Sequence, residues 1–251
     1  MAEEEKIREH AKYALQDLTD KTKNWKDRIK DFAWEVFIII VAVNITLWFH
    51  SWSEKRHERE LEKNFLIGIR SDLNVVNQSL ENTIVASQPF LDYADSVYTQ
   101  IKEYRIDKAF VDANSWNLTN YIFFAYDNSR FENFKSSGYL RLIENDSLSM
   151  AITGLYTITL PGEINLDNIQ SDLALKNFIT YVGSKARIDF SSETMIVSNL
   201  LNAPDVQLFI LSRKLGLAMR KDQKQETIEK IEGVINKIDR ELKRRFNYQE
   251  K

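Results

Sequence analysis

The chain has 251 residues, 43% hydrophobic and 28% charged, with a formal net charge of −3. That average reads as one soluble domain, at most two. With no Cys it excludes disulfide scaffolds, thiolate zinc sites, iron–sulfur clusters and cysteine nucleophiles, and seven Gly and three Pro argue against sandwiches, barrels and Gly-rich phosphate loops.

Residues 1–31 form a charged, partly helical N-terminal region. Glu3, Glu4 and Glu5 favour a helix N-terminus, and Leu18-Thr19-Asp20 reads as a break. From Trp25 the residues Trp25, Ile29, Phe32 and Val36 recur at helical spacing and lead into the next segment.

Residues 32–52, FAWEVFIIIVAVNITLWFHSW, depart from the average. Between 36 and 49 only Asn44 and Thr46 are polar, and Phe32, Trp34, Trp48 and Trp52 sit at the two ends like the aromatic belts of a membrane span. Trp34 to Trp52 covers roughly 27 Å at 1.5 Å per residue, close to the roughly 30 Å hydrocarbon core. The expectation is one transmembrane helix that remains as a signal anchor, because a polar segment precedes it and no small-residue cleavage site follows. Five Lys or Arg on its N-terminal side face four on the other, which leans only slightly toward a cytoplasmic N-terminus and a periplasmic C-terminal domain at the inner membrane. Asn44, near the middle, is the candidate helix–helix contact for self-association.

Residues 53–88 read as a juxtamembrane stalk helix. The basic KRHER run suits headgroups, Gly68 is the lone helix breaker before Pro89, and Leu66, Ile69, Leu73, Val76 and Leu80 follow a 3,4 spacing. Pro89 is expected to stop that helix at Gln88 and open a bundle domain over 89–251. There Leu91, Tyr98 and Ile101 mark a helix face, and Trp116, Tyr121, Phe123 and Phe124 are expected in a core. Asn128 and Ser129 cap a short helix that Gly138 ends, and Asn145-Asp146-Ser147 caps the next. Pro161-Gly162, SSET at 191–194 and Asn202-Ala203-Pro204-Asp205 are read as boundaries. Ile228, Ile231, Ile235, Ile238 and Leu242 repeat the 3,4 spacing to near Arg245. The fold expected is therefore all-α: one N-terminal transmembrane helix, a helical stalk and an α-helical bundle whose first and last stripes pack antiparallel.

Two segments carry a resemblance, WSEKRHERELEKNFLIGIRSDL at 52–73 and RFENFKSSGYLRLIENDSLSMAITGLY at 130–156. The chain resembles a widespread family of uncharacterised single-span membrane proteins of Bacteroidota type, with a Trp-Asn-Glu-Glu-Arg-Lys-like exit block and a Leu-Lys-x-x-Gly…Ile-x-Asn…Leu block. It departs at Ser53 and Phe134, where that family has Asn and Leu. The resemblance implies anchoring and a helical fold, and brings no catalytic residue.

His10, His50 and His57 are the three histidines, so residues 58–251 hold neither His nor Cys. Serine–histidine and cysteine–histidine machinery and ordinary transition-metal sites are thus missing there, and no cofactor is implied. Residues 53–251 carry 26 Lys plus Arg against 28 Asp plus Glu, which argues against nucleic acid as a partner. Lys135, Gly138, Arg141 and Asn145 gather near a Gly-terminated turn and form the candidate partner or ligand site. The function expected is a membrane-anchored interaction, sensor or scaffold protein of the cell envelope, not an enzyme, whose partners are the bilayer and a second copy or an envelope protein. The alternatives are an oligomeric pore-forming effector and a carboxylate-dependent hydrolase.

Overall fold

The computed structural model describes Lys12 and residues 25–248. The expectations for Glu3–Glu5 and for the break at residues 18–20 lie outside the described residues. The chain divides into two units, Met1–Glu60 and Leu61–Lys251.

Helix α1 runs over Trp25–Lys102. Its first part is the one described helix long and apolar enough to cross a membrane, and none of the apolar window is buried. It is therefore not the core helix of a folded unit. Each of the two polar side chains in the window donates to its own helix: Asn44 Nδ2 to the Ile40 carbonyl at 2.7 Å and Thr46 Oγ1 to that of Ala42 at 2.9 Å. Trp34 stacks on Phe37, Trp48 meets Phe49 edge-on, and the Arg56 guanidinium lies over the Trp52 ring.

The unit Leu61–Lys251 is an all-α bundle with one small hairpin. After α1 come α2 (Lys108–Ala113), α3 (Ser129–Ser136), α4 (Asp146–Gly154), α5 (Leu160–Phe178), the antiparallel strands β1 (Arg187–Asp189) and β2 (Thr194–Ile196), and α6 (Pro204–Phe246). The stripes of α1 and α6 pack antiparallel, as the ion pairs Glu62–Arg245, Arg70–Asp239 and Asp95–Lys214 and the bond from Lys221 to Gln88 record. Leu66, Ile69, Leu73, Val76 and Leu80 meet Ile228, Ile231, Val234, Ile238 and Leu242 in one core with Phe131, Leu148 and Leu160. Each fully buried Leu or Ile contributes about 1.5–3 kcal/mol. A second core gathers Tyr93, Val97, Val111, Phe178, Val182, Met195, Phe209 and Ile210.

Several sequence expectations need correction. The segment read as a stalk supplies the first core from Leu66 onward, and α1 continues through Pro89 to Lys102. An interior Pro costs about 3 kcal/mol. Burial of Tyr93, Ala94 and Val97 beyond it offsets that cost, and these residues, rather than Leu91, Tyr98 and Ile101, form the buried face. Pro161-Gly162 does not end a helix. The chain stays helical from Asp146 through Phe178 because a wide π turn at Leu155–Thr159 gives Pro161 room where its ring would meet the preceding turn. Val234 takes the core place expected for Ile235, which is half-buried. Of the loop aromatics only Phe124 is buried, while Trp116 and Phe123 are exposed. The SSET segment is not a simple boundary but enters the β1–β2 hairpin.

Gly68 has a packing reason. A Cβ there would lie 2.5 Å from the Arg130 guanidinium, which crosses α1 at this point to pair with Asp72 at 2.8 Å. Gly138, at φ 72°, ends α3 in the left-handed conformation that Gly adopts without strain.

Candidate functional site

The two cores are separate along the long helices, and on α5 and α6 charged residues fill the gap. On α5 Glu163 and Asp167 lie between Leu160 and Phe178; on α6 Arg220, Lys224 and Thr227 lie between Ile210 and Ile231. All five are buried. Arg220 Nη2 donates to Glu163 Oε2 at 2.6 Å and to Asp167 Oδ1 at 2.8 Å, and Lys224 Nζ donates to the same Asp167 oxygen at 2.6 Å. Thr227 Oγ1 donates to Glu163 Oε1 at 2.7 Å, the Tyr121 hydroxyl to Asp167 Oδ1 at 3.3 Å, and the Phe124 backbone N–H to Asp167 Oδ2 at 3.0 Å.

Two carboxylates and two cations make this cluster neutral, which is what permits its burial. Burial would raise the Asp167 carboxyl, but the hydrogen bonds from Lys224, the Phe124 N–H and Arg220 outweigh it and hold the group below the usual carboxylate range. Burial alone would lower the Arg220 guanidinium; its bonds to Glu163 and Asp167 reverse that and raise it. Burial, with the Asp167 charge, pushes the Tyr121 phenol up to about 12. The pocket beside Arg220 and Lys224 measures about 20 Å³, room for a single water. Both carboxylates are tied by cations, Glu163 by Arg220 and Asp167 by Arg220 and Lys224. The cluster's chemistry is to fix the register of α5 against α6.

A second polar cluster closes the far end of the α1–α6 pair. Arg245 Nη1 lies 2.5 Å from Glu62 Oε1 and Arg245 Nη2 lies 2.7 Å from Glu144 Oε1. The Glu144 backbone N–H also donates to Glu62. Asn145 Nδ2 donates to Glu241 Oε2 at 2.9 Å, and Arg244 Nη2 to Glu241 Oε1 at 2.8 Å. Burial dominates at Glu62 and raises its carboxyl despite the bond from Arg245. At Glu241 burial is overcome by Asn145 and Arg244, and the carboxyl is lowered.

Of the residues singled out from the sequence, Asn145 belongs to this cluster and also caps α4, accepting from the Leu148 N–H at 3.1 Å. Lys135 pairs with Glu132 on the surface and lies over the Phe131 ring. Gly138 is a helix stop, and Arg141 is exposed on the short turn Tyr139–Leu142. Lys135 and Gly138 share the end of α3, where the Gly138 N–H donates to the Lys135 carbonyl at 3.0 Å. Phe32, Trp34, Trp48 and Trp52 are all exposed on α1, as is Asn44. Among the described residues no group of three or more His, Asp or Glu is arranged to hold a metal ion.

Sequence reasoning missed Arg213, Arg220, Lys224 and Glu241. The signal was present: Val206, Ile210, Arg213, Leu217, Arg220, Lys224, Thr227, Ile231, Val234, Ile238, Glu241 and Arg245 alternate spacings of four and three without a break. Charged residues in phase with a buried stripe are themselves buried. No family model, curated protein or solved structure matches the chain.

Proposed function

We propose that the protein is a membrane-anchored helical interaction module that acts as a sensor or scaffold of the cell envelope. Residues 32–52 cross the inner membrane once, the N-terminus lies in the cytoplasm and the bundle stands on the periplasmic side. The observation that carries this reading is that one helix bears both an exposed, all-round apolar window and the first stripe of the bundle core. The exit block of the resembled single-span family falls at the same place, residues 52–73. The buried carboxylates are engaged by cations, which supports a non-catalytic role.

Self-association is part of the proposal and rests on Asn44 in the apolar window, because the 3,4 stripes of α1 and α6 are spent on each other inside the bundle core. Asn44 gives one amide N–H to its own helix, and its second N–H and its Oδ1 are the groups that could meet a neighbouring helix. Crosslinking in native membranes, combined with protease added from each face, tests the reading. A dimer or larger species and digestion of the bundle from the periplasmic face alone are expected. Monomer only overturns self-association, and digestion from the cytoplasmic face overturns the orientation.

A further inference from the structure

The α6 stripe contains three buried cations. Arg220 and Lys224 are neutralised by Glu163 and Asp167. Arg213 is 5% exposed and has no carboxylate partner among the described residues. Its Nη2 donates to the Asn120 backbone carbonyl, its guanidinium lies 5.7 Å from the centre of the Tyr121 ring, and its Nε is buried without any partner. A carbonyl and a ring face supply partial negative charge only. Burial pushes the guanidinium down to about 10, so it stays cationic at neutral pH. A buried cation left unneutralised is among the most costly features a fold can carry, and the same helix shows two turns later that this fold supplies acids where it needs them.

Arg213 lines a cavity of about 120 Å³ between α5 and α6, beside Tyr121. Gln170 and Asn177 of α5 contribute amides to its wall, and neither makes a side-chain hydrogen bond to the described residues. The remainder is mostly apolar, with Phe209 at the inner end and half-exposed Leu173 at the rim. Gly216 lets the helices approach here, since a Cβ at that position would lie 3.0 Å from Gln170 Oε1. The cavity is somewhat smaller than the roughly 150 Å³ apolar cavity that takes benzene, and it opens to solvent beside Leu173, so a ring seated in it extends past the rim.

We propose that this cavity binds a small organic monocarboxylate, its carboxylate paired with Arg213 and hydrogen-bonded by Gln170 and Asn177, and its apolar body of roughly benzene size packed between Phe209 and Leu173. The ligand supplies the counter-charge that the described residues do not place beside Arg213. Arg is suited to this role because its planar fork takes a carboxylate through two parallel bonds. The site lies wholly within Leu61–Lys251 and is independent of whether residues 32–52 cross a bilayer.

The test uses the full chain in detergent micelles with benzoate as probe, benzamide as its neutral counterpart and inorganic phosphate as an anion without an apolar body. Benzoate is expected to raise the unfolding temperature with increasing concentration and to give a saturable calorimetric isotherm, with benzamide and phosphate at least tenfold weaker. Arg213→Met should abolish the benzoate response while leaving the unliganded unfolding temperature equal or higher, an outcome that a purely structural arginine would not give. Leu173→Trp, at the exposed rim, should block benzoate binding with an unchanged circular dichroism spectrum, which keeps the test open if Arg213→Met does not fold. No response to benzoate at millimolar concentration, an equal response to benzamide or phosphate, or benzoate binding that survives either substitution overturns the proposal.

Discussion

Two stretches of helix α1 are both rich in apolar residues and have opposite fates. In residues 32–52 apolar side chains point in every direction, and Ile39 and Trp48 are 62% and 63% exposed. From residue 62 to 97 the large apolar side chains fall mainly on one stripe, with Val75 and Val85 outside it, and Leu66, Ile69, Leu73 and Leu80 are fully buried. The difference is periodicity. A stripe can be covered by one partner helix, and α6 covers it. A surface apolar all round cannot be covered by one helix, and is the pattern of a candidate membrane span.

A charge inserted into each stretch sharpens this contrast most. Ile69→Asp places an unpaired carboxylate in the core and should abolish cooperative thermal unfolding of the bundle, read by circular dichroism. Ile39→Asp should leave that bundle transition where it is. Equal loss of structure in both variants would contradict the contrast.

The next largest effect concerns the join between the two cores. Asp167→Ala leaves Lys224 buried without its acceptor and Arg220 with Glu163 as its remaining carboxylate, and should cost about 3–5 kcal/mol in urea unfolding. Replacing Asp167 and Lys224 together by Leu and Met should cost less than the single change, because the charge is removed with its partner. A double variant weaker than Asp167→Ala would show that the cluster itself, and not its balance, holds the helices. Asn145→Ala is smaller in the same titration: about 1 kcal/mol for removal of the α4 cap, together with the hydrogen bond that Asn145 donates to Glu241.

The smallest effect is in pH. Asp167 and Glu241 are depressed in the folded state, so their stabilisation is present above their unfolded values near 3.8 and 4.5 and is lost as pH falls through the folded ones. Glu62 is raised, so its contribution has the opposite sign: present below about 4.5 and lost as pH climbs through its folded value. Bundle stability measured by urea titration should therefore decline in acid, more gently in Asp167→Asn than in the parent chain. An unchanged acid slope in that variant would remove Asp167 from the explanation.

Much of this was legible in the sequence. The 3,4 stripes at 66–80 and 228–242 named the two long core helices, the apolar window stood out by its flanking Trp, and Gly138 and Asn145 were readable as stop and cap. Continuity through Pro89 and Pro161 was not, because a local cost is overridden by burial on both sides of the proline, and that burial comes from residues distant in sequence. The buried charges were hidden by residue type: Arg213, Arg220 and Lys224 read as surface residues unless their register with Leu217 and Ile231 is counted. The pairing of α5 with α6, which brings Glu163 and Asp167 to them, has no local signature.

The most direct measurement of the central claim is alkaline carbonate extraction of native membranes, with the bundle detected in pellet and supernatant. A membrane-spanning α1 predicts that the full chain stays in the pellet, as an integral protein does. Release of the chain into the supernatant would contradict it.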